Sequence, residues 1–507
     1  MVSLNKILEL NKWWSKGVEF ASDDQDLLNY RYSKIKVLRR ELLPLLKPGS
    51  IAIIKGPRRV GKTVAIKLTI EKLISEAKIN PDNIFYFSFD ETISQKEFEN
   101  LLRDFLNKAH SGTTYVFLDE IQFVKNWQNT LLSLKNSGSL NNTAVLVTGS
   151  IAHFLGTETL PGRGTEGNIY YLRTCSFRDF VISILSNFQN KSDDQLSYLI
   201  DYNFSRAELT EMLKTINNTN VDLEADIKKV YDAYLSIQKY FIPLSKLFYL
   251  YTLSGGYPKS ISYIFDTNEP KAPSSFYEEV YNYIKNDAAT ITSQVFGDPA
   301  KASKTISAVL DYVGNRISYS KIAQKISMNK VTFINYLYRL ENSFVFINLK
   351  GVKSFKKQLK ESNIKKLYFS DIFMHYSAGA AYTGKPGYEY AKELINSSNI
   401  GMLVEEIVAG HLIRIKEADP MKLYNTYLKF YDGSNEIDFI YKKDSNHILG
   451  VEVKYQNEAS MQDIKRVEGV DEYILLTKSS PLSIKNNIMI IPVSIFLTLL
   501  KSSEHDL

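Results

Sequence analysis

Ile51-Ala52-Ile53-Ile54-Lys55-Gly56-Pro57-Arg58-Arg59-Val60-Gly61-Lys62-Thr63 is the stretch that decides the fold class of this chain of 507 residues. An apolar run of strand length passes into a glycine-punctuated loop, which ends in Lys-Thr where a helical pattern begins. This spacing predicts a phosphate-binding loop in which backbone N–H groups face phosphate oxygens, Lys62 adds a positive charge, and Thr63 offers a hydroxyl to magnesium at a helix N-terminus. We therefore expect residues 56–63 to bind ATP, with Mg²⁺ as the metal.

Two further apolar runs end in polar residues that suit phosphoryl transfer. The first is Tyr115-Val116-Phe117-Leu118-Asp119-Glu120. Asp119 is expected to hold the water shell of magnesium, and Glu120 to lie beside the attacking water as the catalytic base. The second run, 144–148, ends in Gly149 and Ser150, whose hydroxyl can sense the γ-phosphate. Buried strands commonly end in polar loop residues, but the order of phosphate loop, acidic pair and hydroxyl favours a catalytic site.

The pattern around these runs predicts an α/β fold. Apolar runs at 84–89 and 169–172 alternate with helical stretches, and parallel strands need such crossover connections, so a parallel sheet covered by helices is expected. Residues before about 50 form an amphipathic lead-in with Trp13 and Trp14. From about 176 to 251 the pattern is long, helical and polar, which is typical of a helical lid with an insertion.

Composition limits the class of protein. The chain is too long for one core, so several domains are expected. Its 44% hydrophobic and 23% charged residues are typical of a soluble globular protein, and no apolar stretch approaches the roughly 20 residues that span a bilayer, so a cytoplasmic protein without a membrane partner is predicted. Cys175 is the single cysteine, which excludes an intrachain disulfide. A net charge of +6 is a weak indication of nucleic acid.

The region from about 304 to 350 has the outline of a winged helix-turn-helix: a short helix at 319–326, a turn, a second helix at 330–341 and a strand at 344–349. On the second helix the expected buried residues are Val331, Ile334, Leu337 and Leu340, and the expected DNA-facing residues are Lys330, Asn335 and Arg339. A winged helix that only packs domains together is the alternative.

A run of lysines follows this unit, consisting of Lys353, Lys356, Lys357, Lys360, Lys365 and Lys366. Together they carry enough positive charge to neutralise several DNA phosphates. A solvated basic linker has the same composition, so this run alone does not establish a DNA surface.

The last third of the chain contains a different constellation. Asp438 lies in one predicted strand, and Glu452 and Lys454 share a face of the next. Two carboxylates can hold magnesium at a scissile phosphate while the lysine positions or activates water, and a helical acid upstream, Glu405 or Glu406, often completes such a nuclease site. Exposed strands joined by salt bridges generate the same pattern.

Together these motifs resemble a known family, the archaeal and bacterial AAA-type ATPases with a C-terminal domain related to the PD-(D/E)xK nucleases. The resemblance spans about 31–493 and rests on Gly-Pro-Arg-Arg-Val-Gly-Lys-Thr at 56–63, Phe-Leu-Asp-Glu-Ile-Gln at 117–122, Thr-Gly-Ser at 148–150, Gly-Arg at 162–163, Ser-Phe-Arg-Asp-Phe at 176–180, Gly-Gly-Tyr-Pro at 255–258, Lys-Leu-Tyr-Phe-Ser-Asp at 366–371, Gly-Met-Leu-Val-Glu at 401–405, Glu-Ile-Asp-Phe at 436–439 and Val-Glu-Val-Lys at 451–454.

The resemblance implies an ATPase core, a winged helix and a nuclease-like C-terminal fold. By motif position, Arg163 is the candidate arginine finger, and a finger acting between subunits implies a homo-oligomer. A loop arginine in a salt bridge is the alternative. The implied domains are a lead-in at 1–30, an AAA-type core at 31–175, a helical lid with insertion at 176–300, a winged helix-turn-helix at 301–352 and a PD-(D/E)xK nuclease-like domain at 353–507.

Three functions fit these observations. The first is a Mg²⁺-dependent ATPase that couples hydrolysis to DNA binding, remodelling or translocation. The second is a signalling switch, in which ATP binding and slow hydrolysis control a partner protein. The third is an ATP-regulated nuclease that uses Asp438, Glu452 and Lys454. We also expect this constellation, which Glu405 can join from a helix, to be a nuclease-type fold whose cleavage is absent or cryptic under ordinary conditions.

Overall fold

A computed structural model describes residues 3–37, 41–89, 91–108, 111–150, 168–189, 194–224, 227–266, 270–289, 297–355, 360–416, 424–443, 447–503 and 507. Two β-sheets organise these residues, one near the N-terminus and one near the C-terminus, with helices between them. No helix in these ranges is both long and apolar enough to cross a membrane.

The helices, in chain order, are α1 Leu4–Leu10, α2 Trp13–Lys16, α3 Gln25–Tyr32, α4 Lys62–Ser75, α5 Gln95–Leu106, α6 Trp127–Asn136, α7 Phe177–Phe188, α8 Asp194–Ile200, α9 Arg206–Asn218, α10 Ile227–Ile237, α11 Phe241–Ser254, α12 Pro258–Asp266, α13 Ser274–Ala289, α14 Pro299–Leu310, α15 Tyr319–Lys325, α16 Lys330–Asn342, α17 Ile372–Thr383, α18 Gly387–Ile395, α19 Ile400–Leu412, α20 Tyr424–Tyr427 and α21 Val493–Leu499.

The first sheet is parallel throughout, as the alternation of strands and helices predicts. Its strands are β1 Ile51–Lys55, β2 Ile84–Ser88, β3 Thr114–Asp119, β4 Thr143–Gly149 and β5 Ile169–Tyr171, in the order β2-β3-β4-β1-β5. The strands are almost continuously apolar because helices cover both faces. The order brings the C-terminal ends of β1, β3 and β4 side by side, and these are the ends at which the predicted catalytic residues lie.

The N-terminal lead-in packs against this sheet at its edge strand. The Asn11 side chain forms two hydrogen bonds with the backbone of β2: its Oδ1 accepts from Tyr86 N at 2.7 Å, and its Nδ2 donates to Tyr86 O at 2.9 Å. The indoles of Trp13 and Trp14 both donate to Ile84 O. Side-chain amide and indole groups thereby satisfy backbone groups that an edge strand would otherwise expose.

The second sheet has eight strands and mixed pairing. They are β6 Phe346–Ser354, β7 Lys360–Phe369, β8 Leu428–Tyr431, β9 Ile437–Lys442, β10 Ile448–Lys454, β11 Glu472–Thr477, β12 Ser483–Lys485 and β13 Ile488–Pro492, in the order β12-β13-β11-β10-β9-β8-β6-β7. The β6–β7 hairpin that follows α16 is part of this sheet, because β6 pairs with β8. The predicted domain boundary at 352/353 therefore falls inside β6.

Helices α15 and α16 lie where the sequence predicts a helix-turn-helix, with one error in the buried face. Val331 is 65% exposed, whereas Phe333 and Tyr336 are buried with Leu337 and Leu340. The buried face starts two residues later than predicted, at Phe333, because Val331 lies in the first turn of α16, and the predicted Ile334 is half-buried. Lys330 and Asn335 are exposed, and Arg339 is half-buried with its guanidinium 4.8 Å from the Tyr336 ring. The exposed positions of α16 therefore include Val331 together with Lys330 and Asn335.

Candidate nucleotide site and C-terminal carboxylate cluster

The phosphate loop connects β1 to α4 and depends on two glycines. A Cβ placed on Gly56 would lie 2.0 Å from the carbonyl oxygen of Leu172, so any side chain would collide with the neighbouring backbone. Gly61 has φ of +98° at the N-cap of α4, a conformation that side-chain-bearing residues rarely adopt. These positions fix the loop so that the N-terminus of α4 faces the space where phosphates would bind.

Lys62 is the buried cation of this loop. It is 5% exposed, and its ammonium donates to the carbonyls of Gly56 at 3.0 Å and Pro57 at 2.9 Å. The Nζ lies 3.9 Å from Glu120 Oε1. The ammonium therefore already lies at the loop where the negative charge of a nucleotide phosphate would be placed. A phosphate would offer it stronger acceptors than the two carbonyls do.

Asp119, at the end of β3, lies next to Thr63. Its Oδ2 accepts from Thr63 Oγ1 at 2.6 Å and from Tyr86 Oη at 3.2 Å, and Thr148 donates to its other oxygen. Burial and the neighbouring charge of Glu120 raise the pKa of Asp119. The hydroxyl and carboxylate oxygens are the donor types that Mg²⁺ prefers, so Thr63 and Asp119 suit the predicted metal roles.

Glu120, the predicted base, is held in place by side chains from the following turn and from the end of β4. Its φ of +54° turns the chain after β3, and its Oε2 accepts from Ser150 Oγ at 3.3 Å. Gln122 donates to the same carboxylate and, at 3.2 Å, to Ser150 Oγ. Burial raises the pKa of Glu120, but the charge of Lys62 and the bond from Gln122 outweigh that effect, so the pKa is lowered and the group is ionised at neutral pH.

Gln122 is a site residue that the sequence prediction left out, although it lies in the quoted motif at 117–122. The signal that could have found it is its position two residues after Glu120. The short turn Ile121–Phe123 that follows β3 brings its side chain back to the carboxylate. It joins Glu120 to Ser150, which extends the site from β3 to β4.

The two arginines of the loop bind α13, a contact that no motif spacing indicates. Arg58 Nε lies 3.2 Å from Asp287 Oδ1. Arg59, with φ of +66°, donates to Tyr283 Oη at 2.8 Å and forms an ion pair with Glu279. Burial raises the pKa of Asp287 to about 6, against the opposing charge of Arg58. Helix α13 is thus tied directly to the conformation of the phosphate loop.

Val60, between these arginines and Gly61, is buried in the core. Arg163 lies outside the described residues.

The C-terminal constellation is brought together by β9, β10 and α19. Asp438 Oδ2 accepts from Val453 N at 3.0 Å, which joins β9 to β10. Burial and the adjacent charge of Asp438 raise the pKa of Glu452 to about 9, which favours a protonated carboxyl that hydrogen-bonds to Asp438. Lys454 is exposed and acts on Glu452 through its charge. Three of the predicted residues therefore gather in one place with the lysine at its margin.

Glu405 joins this cluster and Glu406 does not. Glu405 Oε1 accepts from Tyr368 Oη at 2.5 Å and from Lys366 Nζ at 2.9 Å. Glu406 faces the other way, accepting from Phe369 N at 2.6 Å and pairing with His375 at 2.7 Å. The sequence left these two acids as alternatives, and the turn of α19 places only Glu405 on the side of β9.

Lys366 changes the interpretation of the cluster. The sequence predicts it as part of an exposed basic surface, but it is 2% exposed and contacts the carboxylates of Glu405, Glu436 and Asp438. That assignment is wrong because Lys366 lies on the sheet face that α19 covers. Lys365, its neighbour, is half-buried, and burial lowers its pKa. Lys353 is exposed; Lys356 and Lys357 lie outside the described residues.

The carboxylates are arranged around an ammonium rather than for a metal. Within the described ranges, no group of three or more His, Cys, Asp or Glu side chains is positioned to hold a metal ion. The magnesium predicted at Asp438 and Glu452 therefore finds no metal-binding group among the described residues, and Asp438 instead pairs with Lys366.

Comparisons with family models match the region of the first sheet to a described domain and match two later regions to domains of unknown function. Residues 49–181 match the model described as AAA domain. Residues 245–381 and 400–496 match two models described as Domain of unknown function (DUF8612) and Domain of unknown function (DUF4143). Residues 49–181 therefore form a P-loop domain of the AAA type, and the chain has an AAA-type ATPase fold in its N-terminal half.

Relatives share most of the chain. A protein of Haemophilus influenzae is 25% identical over 430 residues, covering 82% of this chain and 85% of the relative. Two proteins of Methanocaldococcus jannaschii are each 24% identical, covering 91% and 94% of this chain and 88% and 89% of the relatives. All three are described as uncharacterized, so they extend the similarity along the chain without adding an activity.

Solved structures resemble the chain only distantly. Thermotoga maritima RuvB is 13% identical, with 71% of this chain and 92% of that chain covered at a TM-score of 0.24. Aeropyrum pernix ORC1 in complex with DNA is 11% identical, with 67% and 89% covered at a TM-score of 0.28. Scores of this size support no statement about the function or the arrangement of the whole chain.

Proposed function

We propose that this protein is a Mg²⁺-dependent ATPase that couples hydrolysis to the binding or remodelling of DNA. The observation that carries the ATPase assignment is the convergence of Lys62, Thr63, Asp119 and Glu120 at adjacent strand ends. Each of these groups has a distinct role in phosphoryl transfer, and the fold around them is of the AAA type.

The roles follow from the contacts. Lys62 and the N-terminus of α4 neutralise phosphate charge, and Thr63 with Asp119 would hold Mg²⁺, which supplies further neutralisation of the phosphates when bound. Glu120, ionised and fixed by Gln122 and Ser150, accepts a proton from the attacking water or orients it. Arg163 is proposed to complete the site from a neighbouring subunit of a homo-oligomer.

Coupling to DNA is the finer part of the proposal. It is supported by the exposed residues Lys330, Asn335 and Tyr338 on α16, the second helix of a helix-turn-helix pair, and by the net charge of +6. Lysine adds phosphate affinity, whereas asparagine and tyrosine can contact bases or sugar. A strand hairpin follows α16, which is the order of a winged helix.

The experiment is ATP turnover of the full chain without nucleic acid and with single-stranded, duplex or branched DNA. We expect hydrolysis that requires Mg²⁺ and rises with at least one DNA form, with an affinity that falls steeply as salt increases. Turnover without any DNA response would retain the ATPase and exclude the coupling. Absence of Mg²⁺-dependent hydrolysis in every condition would contradict the ATPase itself.

A signalling switch is the second candidate, favoured by the contacts between the phosphate loop and α13. Helix α13 packs on α17 of the C-terminal half, for example through the stacked rings of Tyr277 and Phe373, 4.4 Å apart. A nucleotide that displaces Arg58 or Arg59 from α13 would therefore act on α17. Different protease cleavage patterns with ATP and ADP, together with no DNA binding, would favour the switch over the DNA-coupled ATPase.

A further inference from the structure

The ammonium of Lys366 is surrounded by three carboxylates from two structural elements and the loop beside them. Its Nζ lies 2.6 Å from Glu436, which directly precedes β9, 2.9 Å from Glu405 of α19, and 3.1 Å from Asp438 of β9. The side chain is 2% exposed. A buried lysine at this depth requires such partners, because an unpaired charge away from water is strongly unfavourable.

The surroundings hold Lys366 in this position. Tyr368, two residues along β7, donates to the same Glu405 oxygen at 2.5 Å, and the Phe430 ring lies 5.7 Å from the ammonium. Strand β7 is fixed by its pairing with β6, in which Lys366 lies opposite Leu349. The ammonium is thus enclosed by carboxylate, phenol and aromatic groups, and moving it into water would leave three acids without a counter-charge.

A metal-dependent nuclease requires a divalent cation between such acids, and here that position is filled. We propose that Lys366 takes the place of the divalent cation, so that the cluster of Glu405, Glu436, Asp438 and Glu452 is a metal-free structural centre joining β7, β9, β10 and α19. The C-terminal domain then does not cleave nucleic acid. A second consequence follows from the convergence of three carboxylates on the Lys366 ammonium. The acids are not positioned for a metal as they stand, but with the ammonium removed they would close on the position it occupied and bind a divalent cation.

The test is Mn²⁺ binding to nucleotide-free full-length protein, measured by calorimetry and by electron paramagnetic resonance. Wild type is compared with Lys366→Met, which keeps the length and apolar stem of the side chain and removes its charge. Lys365→Met is the matched control, since Lys365 lies next to it on the opposite face of β7. Any Mn²⁺ bound at the phosphate loop is common to all of these proteins.

We expect Lys366→Met to gain one Mn²⁺ relative to wild type and to Lys365→Met, with a melting temperature that Mn²⁺ raises. Adding Asp438→Asn to Lys366→Met should abolish the gain. A folded Lys366→Met protein that gains no Mn²⁺ would overturn the proposal.

If Lys366→Met does not fold, a comparison of wild type with Glu452→Gln also decides the matter. Mn²⁺ binding or Mn²⁺-dependent DNA cleavage by wild type that is lost in Glu452→Gln would place a metal at the cluster and overturn the proposal. Identical Mn²⁺ binding by wild type and Glu452→Gln, with no cleavage by either, is the expected result. Because these measurements use nucleotide-free protein, they are independent of the ATPase assignment.

Discussion

Asp287 of α13 is bound to Arg58 of the phosphate loop, with 3.2 Å between Oδ1 and Nε, although 229 positions separate them in the sequence. The carboxylate is buried, and its pKa responds to the charges of Glu120 and Lys62 as well as to Arg58. It therefore lies within the electrostatic field of the nucleotide site. A phosphate entering this site would repel the Asp287 carboxylate and attract the Arg58 guanidinium, and would thereby weaken the ion pair between them.

Replacing Asp287 with Asn should tighten nucleotide binding. The substitution removes a negative charge near the phosphates and frees Arg58 to face them, so we expect the ATP dissociation constant to fall by about fivefold, or about 1 kcal/mol. Fluorescent-nucleotide titration measures it. Glu278→Gln is the matched control, because Glu278 is an exposed acid on the same helix and should leave the affinity unchanged. Weaker binding by Asp287→Asn would show that the ion pair holds the loop in its binding conformation.

Glu120→Gln and Lys62→Ala should separate hydrolysis from binding. The amide keeps the shape of the carboxylate but cannot accept a proton, so turnover should fall roughly 10²- to 10⁴-fold with nucleotide affinity retained. Loss of the Lys62 ammonium should instead weaken ATP binding roughly 10- to 100-fold, the value of a charge-assisted contact. Steady-state turnover and equilibrium binding are measured on the same preparations. Equal turnover in wild type and Glu120→Gln would remove Glu120 from the role of base.

Arg163 is predicted to act across a subunit interface. ATPase activity should then depend on protein concentration, and Arg163→Ala should bind ATP but hydrolyse it slowly, because guanidinium stabilises charge on the transferring phosphoryl group. Mixing Arg163→Ala with Lys62→Ala protomers should restore part of the activity, since each supplies the group that the other lacks. With co-assembly demonstrated by light scattering, no recovery would favour an arginine that acts within its own subunit or in a salt bridge.

Lysines on the helix-turn-helix pair should control DNA affinity. Lys321 of α15 and Lys330 of α16 are exposed. Replacing either with Ala should weaken binding similarly for all sequences and reduce the slope of affinity against salt by about 1 for each phosphate that the lysine neutralises. Fluorescence anisotropy at several salt concentrations measures this. Lys485→Ala, on the exposed strand β12, is the control. Unchanged slopes in both helix variants would assign DNA binding to another surface.

The contribution of Glu341 to stability should be lost as pH rises from about 4.5 to about 7. Burial raises its pKa from 4.5 to about 7, against hydrogen bonds from Tyr424 and Asn348 and the charge of Lys350. The folded state therefore binds more protons than the unfolded state between these values, which lowers the free energy of unfolding as pH increases. The contribution is on the order of 3 kcal/mol.

Glu341→Gln should remove this contribution, so that unfolding by urea depends less on pH between about 4.5 and 7 than it does in wild type. Comparing the two proteins isolates Glu341 from other buried acids that also titrate. Glu389→Gln, an exposed acid on α18, should follow the wild-type curve. Parallel curves for wild type and Glu341→Gln would mean that Glu341 is not titrating in this range.

The prediction of the nucleotide site rests on local chemistry. Gly56 and Gly61 are required by backbone geometry, and Asp119 and Glu120 follow an apolar run, so each signal lies within a few neighbouring residues. The parallel sheet follows from the alternation of strands and helices, and it explains why ends of separate strands meet. The same kind of reasoning placed Asp438 near Glu452, because strand periodicity fixes which side chains share a face. It left Glu405 and Glu406 of α19 as alternatives.

Only the tertiary structure decided what those carboxylates contact. Lys366 is one of several lysines in a run, and composition cannot distinguish the one that β7 turns inward from the half-buried Lys365 or the exposed Lys353. The contact between Arg58 and Asp287 likewise joins segments far apart in the chain. Sequence patterns report local conformation and burial. The partner of a charged side chain depends instead on which distant elements pack together. This packing determines whether a cluster of acids binds a metal ion or an ammonium group.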